Sequence, residues 1–362
     1  MMEMGVRKVK LGFGCMRLPV KDDGRIDKDK TFELFDKAIM SGVTYFDTGY
    51  DYHHGESEVV LGEYLKEYKP NIDVATKLPG WLIHKNEDMS QYFDEQLKRV
   101  SVNSFNYYLL HALDKGYWDD LRSLGVIEFM DKVKQQGLVK HIGFSFHDSY
   151  EVFEEILNAY DWDFCQVQFN IVDEANQAGL KGIQLAKSKG IKVIVMEPLR
   201  GGGLVEIVPK EIENLYGKKK PVEWAFNYIL DQPIDLILSG MSNMEQLEEN
   251  LEIFSKAYKM TEKDKETILK VRTAYQSRVV SGCTGCGYCY PCPTGVNIPK
   301  CLSLYDQGAM FDNRIRYKRD YEMMEKFKRA HNCMACGRCE KRCPQKIDVI
   351  KMLKQVDQYF KD

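Results

Sequence analysis

Eight short apolar segments alternate with amphipathic segments along the first two thirds of the chain. The apolar segments are rich in Val, Ile, Phe and Tyr and are apolar on both faces, as strands of a parallel sheet are. The amphipathic segments have helical period, and several end in glycine (Gly42, Gly137 and Gly190), a common helix end. The predicted strands are residues 10–15, 43–48, 73–78, 106–112, 140–146, 164–170, 192–199 and 235–241.

Eight strand–helix units in succession predict an α/β fold, a closed (β/α)8 barrel of the TIM type. An open, doubly wound sheet is the structural alternative. That fold usually carries a complete glycine-rich phosphate turn after its first strand, and the segment GFGCMRL lacks one.

Eight of the eleven cysteines lie in two runs near the C-terminus, each followed by proline. The second run has the spacing C-x2-C-x2-C-x3-C-P, which wraps a short loop around an iron–sulfur cube. A four-cysteine zinc knot in each run is the alternative, but zinc sites usually pair two separated Cys-x-x-Cys knuckles. We therefore predict two [4Fe-4S] clusters, held by Cys283, Cys286, Cys289, Cys292, Cys333, Cys336, Cys339 and Cys343.

The division of these ligands between the two clusters follows a rule of two-cluster ferredoxins, in which the fourth cysteine of each run ligates the other cluster. By that rule Cys343 completes the first set and Cys292 the second. The gap between Cys289 and Cys292 is one residue shorter than the usual spacing, so the crossing stays open, and the nearby Cys301 is a candidate substitute ligand. Cys15 and Cys165 lie in apolar strands and are expected to pack in the core.

The predicted domains are a barrel over residues 1–260, a helical connector over 261–282 and a cluster domain over 283–362. The spacer between the cysteine runs is long, charged and of helical period, so we predict a small, mostly α-helical ferredoxin-like domain.

The net charge of the chain is −3, which argues against nucleic-acid and membrane-surface binding. From residue 281 onward there are 15 Lys and Arg against 9 Asp and Glu, a balance of +6. This excess balances anionic clusters or forms a docking face for an acidic electron carrier. We find no signal peptide or spanning segment, and thiols in metal spacing favour a cytoplasmic location.

Four polar residues stand at or just beyond the ends of predicted strands, where a barrel places its reactive groups. Asp47 ends the second strand, Tyr52 follows it, Lys77 ends the third and His111 ends the fourth. Each alone reads as a salt bridge, a half-buried aromatic or a core histidine. Together they suggest proton donation to a carbonyl: Tyr52 is the acid, Lys77 lowers its pKa, Asp47 holds Lys77, and His111 orients the substrate.

The chain resembles the aldo-keto reductase family over residues 9–255, and specifically a subgroup with a C-terminal two-cluster iron–sulfur domain. The matching segments are YFDTGYDYHHGESE, VATKL, YYLLHAL, HIGFSF, QVQFN, EPLRGGGL and SGMSNMEQLEENL. The resemblance implies hydride transfer between NADPH or NADH and a small-molecule carbonyl, with Asp47, Tyr52, Lys77 and His111 as catalytic residues. It also implies coenzyme contacts from Met16, Ser145, Gln168, Pro198, Leu199, Gly201, Ser239, Gly240, Met241, Gln246, Glu249 and Asn250.

The chain departs from the family pattern around the coenzyme. Met196 stands near the usual place of an aromatic residue that stacks on the nicotinamide. Gly240 and Gln246 stand where NADPH-preferring members often carry Lys or Arg, and Arg200 is the candidate replacement. The choice between NADH and NADPH therefore stays open.

The two halves of the chain also leave the function open between two classes. The first is a carbonyl reductase whose clusters transfer electrons or stabilise structure. The second is an electron-transfer protein whose barrel binds a ligand, a flavin or a partner; flavin is weighed because nicotinamide gives two electrons and a cluster takes one, although no flavin motif is found. A redox partner protein of the ferredoxin or flavodoxin type fits either class.

Overall fold

The computed structural model describes residues 9–256 and 258–361. Residues 1–8, which include most of the segment read for a signal peptide, lie outside the described residues. The described chain forms two compact units, one of residues 9–201 and 225–260 and the other of residues 202–224 and 261–361. Segment 202–224, which the sequence places within the barrel, groups with the second unit.

The first unit is a closed barrel of eight parallel strands in chain order, with β8 beside β1. Each predicted strand segment overlaps one observed strand, so the TIM-type barrel is confirmed and the open sheet is wrong. The strands are β1 Lys10–Gly14, β2 Tyr45–Asp47, β3 Asp73–Leu78, β4 Phe105–Leu113, β5 Val139–Phe146, β6 Phe164–Gln168, β7 Lys192–Met196 and β8 Leu236–Ser239.

Helices follow the strands, and the predicted glycine ends hold: Gly42, Gly137 and Gly190 have φ of 88°, 71° and 75°. The α-helices are α1 Lys28–Met40, α2 Glu56–Tyr68, α3 Asn86–Val100, α4 Lys115–Ser123, α5 Val126–Gln135, α6 Tyr150–Ala159, α7 Gly179–Ser188, α8 Lys210–Tyr216, α9 Pro221–Leu230, α10 Met244–Ser255, α11 Glu262–Gln276, α12 Ile298–Met310, α13 Arg314–Met323, α14 Arg338–Arg342 and α15 Val349–Phe360. Short 3-10 helices are Cys15–Arg17, Tyr52–Gly55, Gly80–Leu82, Arg200–Gly202, Lys326–Lys328 and Ala330–Asn332.

The interior of the barrel is filled by alternate residues of its strands, because successive side chains of a strand point to opposite faces. Tyr45, Leu109, Phe164, Leu236 and Leu238 belong to one buried cluster there. Two residues further along β2 and β4 stand Asp47 and His111. The strand period that builds the core therefore also aims these polar groups into the barrel at its C-terminal end.

Helix α2 packs closely against the end of α3 at Gly62. A Cβ atom on Gly62 would lie 2.2 Å from the carbonyl oxygen of Arg99 and 2.8 Å from the carbonyl carbon of Val100. We expect Gly62→Ala to lower the thermal midpoint by several degrees, because backbone must shift and overpacking costs about 1–3 kcal/mol.

Near-UV circular dichroism melting of the Gly62→Ala protein measures that midpoint. Lys66→Ala, at an exposed position of the same helix, is the matched control and is expected to melt with the native protein. Equal midpoints for native protein, Gly62→Ala and Lys66→Ala would contradict the close packing of α2 against α3 at Gly62.

The second unit is α-helical, as the spacer between the cysteine runs predicts. Helix α8 belongs here because Glu211 pairs with Arg278, just after α11. The rings of Tyr321 and Phe360 stack at 4.7 Å and join α13 to α15. Among the described residues, no helix is both long enough and apolar enough to cross a membrane.

Candidate active site and metal centre

A buried ion pair lies at the C-terminal end of the barrel. Lys77 Nζ donates to Asp47 Oδ1 and to the carbonyl oxygen of Thr48, both at 2.5 Å, and the two charged side chains are 1% and 4% exposed. Burial opposes the charge on Lys77, but attraction to Asp47 and Tyr52 outweighs it and raises the pKa of Lys77. Lys77 is therefore a fixed cation beneath the site.

Tyr52 lies over this cation, with Lys77 Nζ 4.7 Å from the centre of its ring. The ring fits against a bare backbone, because a Cβ on Gly49 would lie 3.1 Å from it. The expected net lowering of the phenol pKa is not found. Burial raises the pKa of Tyr52 and outweighs the lowering by Lys77, while Asp47 adds to the rise.

The turn after Tyr52 has an unusual backbone. His53 and His54 have φ of 51° and 56°, in the left-handed region that costs most residues energy. His53 Nε2 accepts the Leu18 N–H at 3.1 Å, which ties this turn to the loop after β1. Burial lowers the pKa of His53, so the ring stays neutral and keeps this acceptor at neutral pH.

Two buried residues at the start of α2 anchor the same turn. Ser57 Oγ donates to the carbonyl oxygen of Cys15 at 3.1 Å. Glu58 accepts from Thr76 Oγ1 at 2.6 Å and from Gln96 Nε2 at 2.7 Å. These bonds tie the Tyr52 turn to the neighbouring elements of the barrel.

His111 faces Tyr52 from β4, with ring centres 5.8 Å apart, and Trp81 flanks it at 5.0 Å. Its Nδ1 is buried and has no hydrogen-bond partner within the described chain. Burial lowers the pKa of His111 far below its ordinary value, and the Lys77 charge lowers it further. The ring is therefore a neutral imidazole whose buried Nδ1 has no hydrogen-bond partner among the described residues.

Three polar residues of β5 and β6 line the same end of the barrel. Ser145 Oγ accepts the Ala112 N–H at 2.6 Å. Gln168 donates to the carbonyl oxygen of Asn176 at 3.2 Å. Gln166, which the sequence analysis did not select, donates from Nε2 to Asp47 Oδ2 at 2.9 Å and so holds the second carboxylate oxygen. Gln166 and Gln168 are the two polar residues of β6 and alternate with an apolar one, and this pattern in the sequence could have identified Gln166.

The remaining coenzyme candidates lie in the loops after β1, β7 and β8. Met16 and Gly240 are exposed, Leu199, Gly201 and Glu249 are half-buried, and Gln246 is exposed at the start of α10. Pro198, Ser239, Met241 and Asn250 are buried, and Asn250 donates to Ser239 Oγ at 2.9 Å. These last two residues join α10 to β8.

The basic residues near the coenzyme candidates have defined places. Arg200, the candidate replacement for a missing cation, pairs with Asp173 at 3.4 Å. The side chain of Arg17 covers Gly240, since a Cβ on Gly240 would lie 3.1–3.2 Å from it. The aliphatic part of the Arg17 side chain, from the 3-10 helix after β1, therefore packs against Gly240 in the loop after β8.

The cysteines of the two runs come together across the runs. One pocket is lined by Cys289 and Cys292 of the first run together with Cys333, Cys336 and Cys339 of the second. Burial raises the pKa of the Cys283 thiol, the Gly285 N–H lowers it, and the charges of Asp306, Cys286 and Cys343 raise it further. Cys289 and Cys292 of the first run therefore lie beside the second run.

The other three cysteines are buried. Cys15 and Cys165 are fully buried in the barrel, which confirms core packing. Cys301 is also fully buried; its Sγ lies 3.6 Å from the carbonyl oxygen of Lys328, and it does not line the cysteine pocket. Among the described residues, no three His, Cys, Asp or Glu side chains are arranged around a single metal ion.

Comparison with known families agrees with both halves of this architecture. The aldo/keto reductase family model matches residues 10–272, and the 4Fe-4S dicluster domain model matches residues 282–347. The chain belongs to the aldo/keto reductase family and is an oxidoreductase with a C-terminal 4Fe-4S dicluster domain. The match to an iron–sulfur domain favours the predicted clusters over a four-cysteine zinc site in each run.

Relatives cover the barrel part of the chain. An uncharacterized oxidoreductase of Bacillus subtilis (strain 168), YqkF, is 24% identical over 289 residues, 70% of this chain and 90% of that protein. Probable aldo-keto reductase 1 of Glycine max is 25% identical over 309 residues, 74% and 86% of the two chains. The NADH-specific methylglyoxal reductase of Escherichia coli (strain K12) is 23% identical over 212 residues, 52% and 62%.

Solved structures share the barrel fold. The holo form of aldo-keto reductase AKR11C1 from Bacillus halodurans has a TM-score of 0.62 at 23% identity, covering 72% of this chain and 91% of its own. An aldo-keto reductase from Klebsiella pneumoniae in complex with NADPH has a TM-score of 0.59 at 16% identity, covering 72% and 90%.

Proposed function

We propose that the barrel is a nicotinamide-dependent carbonyl reductase with Tyr52 as its general acid, and that the second unit holds two [4Fe-4S] clusters. The observation that carries the first part is the buried Lys77–Asp47 pair beneath Tyr52, with the His111 ring 5.8 Å from the Tyr52 ring. A buried charge pair is costly. Its place beside a phenol at the reactive end of the barrel supports a catalytic role.

Asp47, Tyr52, Lys77 and His111 each have a separate role in carbonyl reduction. Tyr52 donates its phenol proton to the carbonyl oxygen as negative charge develops there. Lys77, held by Asp47 and Thr48, stabilises the phenolate that remains. A neutral His111 orients the carbonyl oxygen by a hydrogen bond without competing as an acid. When bound, the nicotinamide coenzyme supplies the hydride to the carbonyl carbon.

The candidate coenzyme residues fall into two groups, one at the nicotinamide end and one at the adenosine end, where NADH and NADPH differ. Ser145 and Gln168 are candidates for the carboxamide, and Met196 replaces a stacking aromatic. Arg17 over Gly240 supplies a positive charge at the proposed adenosine end, which favours a bound phosphate. We propose that this cation lets the protein use NADPH as well as NADH, in place of Arg200.

The cluster ligands follow the crossed arrangement in this proposal. Cys283, Cys286, Cys289 and Cys343 hold one cluster, and Cys292, Cys333, Cys336 and Cys339 hold the other. The shared pocket of Cys292 with the second run supports the second set. The +6 balance from residue 281 onward suits an acidic electron carrier such as a ferredoxin or flavodoxin.

The proposed function predicts two separate results with the anaerobically purified chain. First, NADH or NADPH is oxidised when methylglyoxal is added as a probe carbonyl. Second, the protein shows the broad visible absorption of iron–sulfur clusters, which bleaches with dithionite. Stopped-flow absorbance follows both. No coenzyme oxidation with a panel of aldehydes and ketones would refute the reductase, and colourless protein after iron–sulfur reconstitution would refute the clusters.

The same experiment separates the two classes of function. If the cluster absorption bleaches on adding NADH or NADPH alone, electrons pass from coenzyme to clusters and the chain is a coupled redox protein. If it persists while methylglyoxal is reduced, carbonyl reduction runs independently of the clusters. We expect persistence, since nicotinamide gives two electrons and a cluster accepts one.

A further inference from the structure

A buried carboxylate lies next to the first cysteine run. Asp306, on α12, is 7% exposed. Its Oδ1 accepts the N–H groups of Val280 and Ser281 at 2.9 and 2.6 Å, and its Oδ2 accepts the Ser281 hydroxyl at 2.5 Å. A side chain that accepts three hydrogen bonds and donates none has the bonding of an ionised carboxylate.

This carboxylate is joined to a proposed cluster ligand through Ser281. The Ser281 Oγ, which donates to Asp306, accepts the N–H of Cys283 at 3.1 Å. The bonds form a chain from Asp306 through Ser281 to the first cysteine of the run. The Cys283 N–H therefore donates to Ser281, which is bonded to Asp306, and it does not donate to a sulfur atom of the proposed cluster.

The charge of Asp306 has no direct counter-charge. Within the described residues, no Lys, Arg or His side chain forms an ion pair with it, and residues 282–297 contain no Asp, Glu, Lys or Arg. Arg342 reaches this loop and donates to the carbonyl oxygen of Tyr290 at 3.1 Å. Burying a carboxylate without a neighbouring cation costs free energy. Anchoring the loop does not by itself require that charge.

We propose that Asp306 is a positioning residue that lowers the reduction potential of the cluster held by Cys283. A reduced cluster carries one more negative charge than its oxidised form, and net charge and hydrogen bonds near the sulfurs set cluster potentials. A buried negative charge disfavours reduction, and its engagement of the Cys283 N–H through Ser281 withholds a dipole that favours reduction. Arg342, of opposite charge, reaches the same loop from the end of α14 and acts in the opposite direction. This inference rests on the proposed assignment of Cys283 to a cluster.

The test is an anaerobic redox titration of the full chain followed by electron paramagnetic resonance, on native protein, Asp306→Asn and Arg342→Gln. Asparagine keeps the shape and an acceptor oxygen but removes the charge. We expect Asp306→Asn to shift one of the two reduction equilibria about tenfold toward the reduced form, about 59 mV for one electron, and to leave the other in place. Arg342→Gln is expected to shift the same equilibrium toward the oxidised form.

Iron and sulfide content, measured on the same samples, separates failure of this inference from failure of the proposed function. Native protein without clusters would refute the cluster assignment itself. Unchanged potentials in an Asp306→Asn protein with full iron would refute the role of Asp306 alone. If Asp306→Asn loses iron, Ser281→Ala serves instead, because it frees the Cys283 N–H and is expected to raise the same potential. Loss of that cluster in both variants would overturn the potential-setting role in favour of a structural one.

Discussion

Replacing Tyr52 with Phe is expected to lower kcat for carbonyl reduction by about 10²- to 10⁴-fold, the usual contribution of a positioned general acid. The substitution removes only the hydroxyl and keeps the ring that lies 4.7 Å from Lys77 Nζ. Coenzyme affinity should change little, because the phenol is proposed to act on the carbonyl oxygen. Steady-state kinetics with methylglyoxal and coenzyme titration by fluorescence measure the two quantities separately.

Tyr50→Phe is the matched control for Tyr52→Phe. Tyr50 is two residues away in the same turn, but its hydroxyl donates to Glu95 on α3 at 3.2 Å. We expect its kcat to stay within about threefold of the native value, as for most exposed or peripheral substitutions. Turnover that survives in Tyr52→Phe would rule out the proposed acid and favour the electron-transfer class.

The pH dependence of the native enzyme provides a second readout of the same acid. Burial raises the pKa of Tyr52 above its ordinary value of 10.0, so the phenol is protonated throughout neutral pH. Reduction needs the protonated form, and the rate is therefore expected to stay level through neutral pH and to fall as pH rises through that pKa. The residual rate of Tyr52→Phe should lack this fall.

Replacing Cys292 with Ala is expected to remove one of the two clusters, and with it about half of the iron and sulfide per chain. Cys292 lies in the first run but, like Cys289, lines a pocket with Cys333, Cys336 and Cys339; we assign it to that cluster by the crossing rule. Loss of one of four thiolates should release the cluster of that pocket and leave the other intact. Iron and sulfide analysis, with electron paramagnetic resonance of the reduced protein, measures the loss.

Cys301→Ala is the matched control, because Cys301 is close in sequence yet faces the carbonyl oxygen of Lys328 rather than the pocket. We expect this protein to keep both clusters. The reverse result, with iron lost from Cys301→Ala and retained by Cys292→Ala, would make Cys301 the ligand and contradict the crossed arrangement.

Local patterns in the chain were sufficient for the barrel and for its catalytic candidates. Each strand is a short run that is apolar on both faces, and that property follows from burial between barrel interior and outer helices. Asp47, Lys77 and His111 could be selected because a polar residue at the end of such a run is an exception to its pattern. The cysteine spacing is likewise compatible with few kinds of metal site, since three thiolates at intervals of three residues suit an iron–sulfur cluster better than a single metal ion.

The electrostatics of the site could not be read from residue order. Lys77 predicts a lowered phenol pKa for Tyr52 when only neighbouring charges are considered, yet burial outweighs that effect. Gln166 was missed because its partner, Asp47, is 119 residues away in the chain. Such contacts depend on closure of the barrel, which brings β2 and β6 to opposite sides of one interior.

The sequence alone determined the order of strands and helices, the barrel and the candidate cluster cysteines, because each depends on neighbours within a few residues. Tertiary structure decided which cysteines meet, where segment 202–224 belongs, and which charges lack partners. Asp306 shows the difference most directly. In the sequence it is one acidic residue in a basic region, whereas in the folded unit it is buried, lacks an ion pair among the described residues, and is bonded through Ser281 to Cys283. Burial and long-range hydrogen bonding belong to the assembled chain, and they give these residues their chemistry.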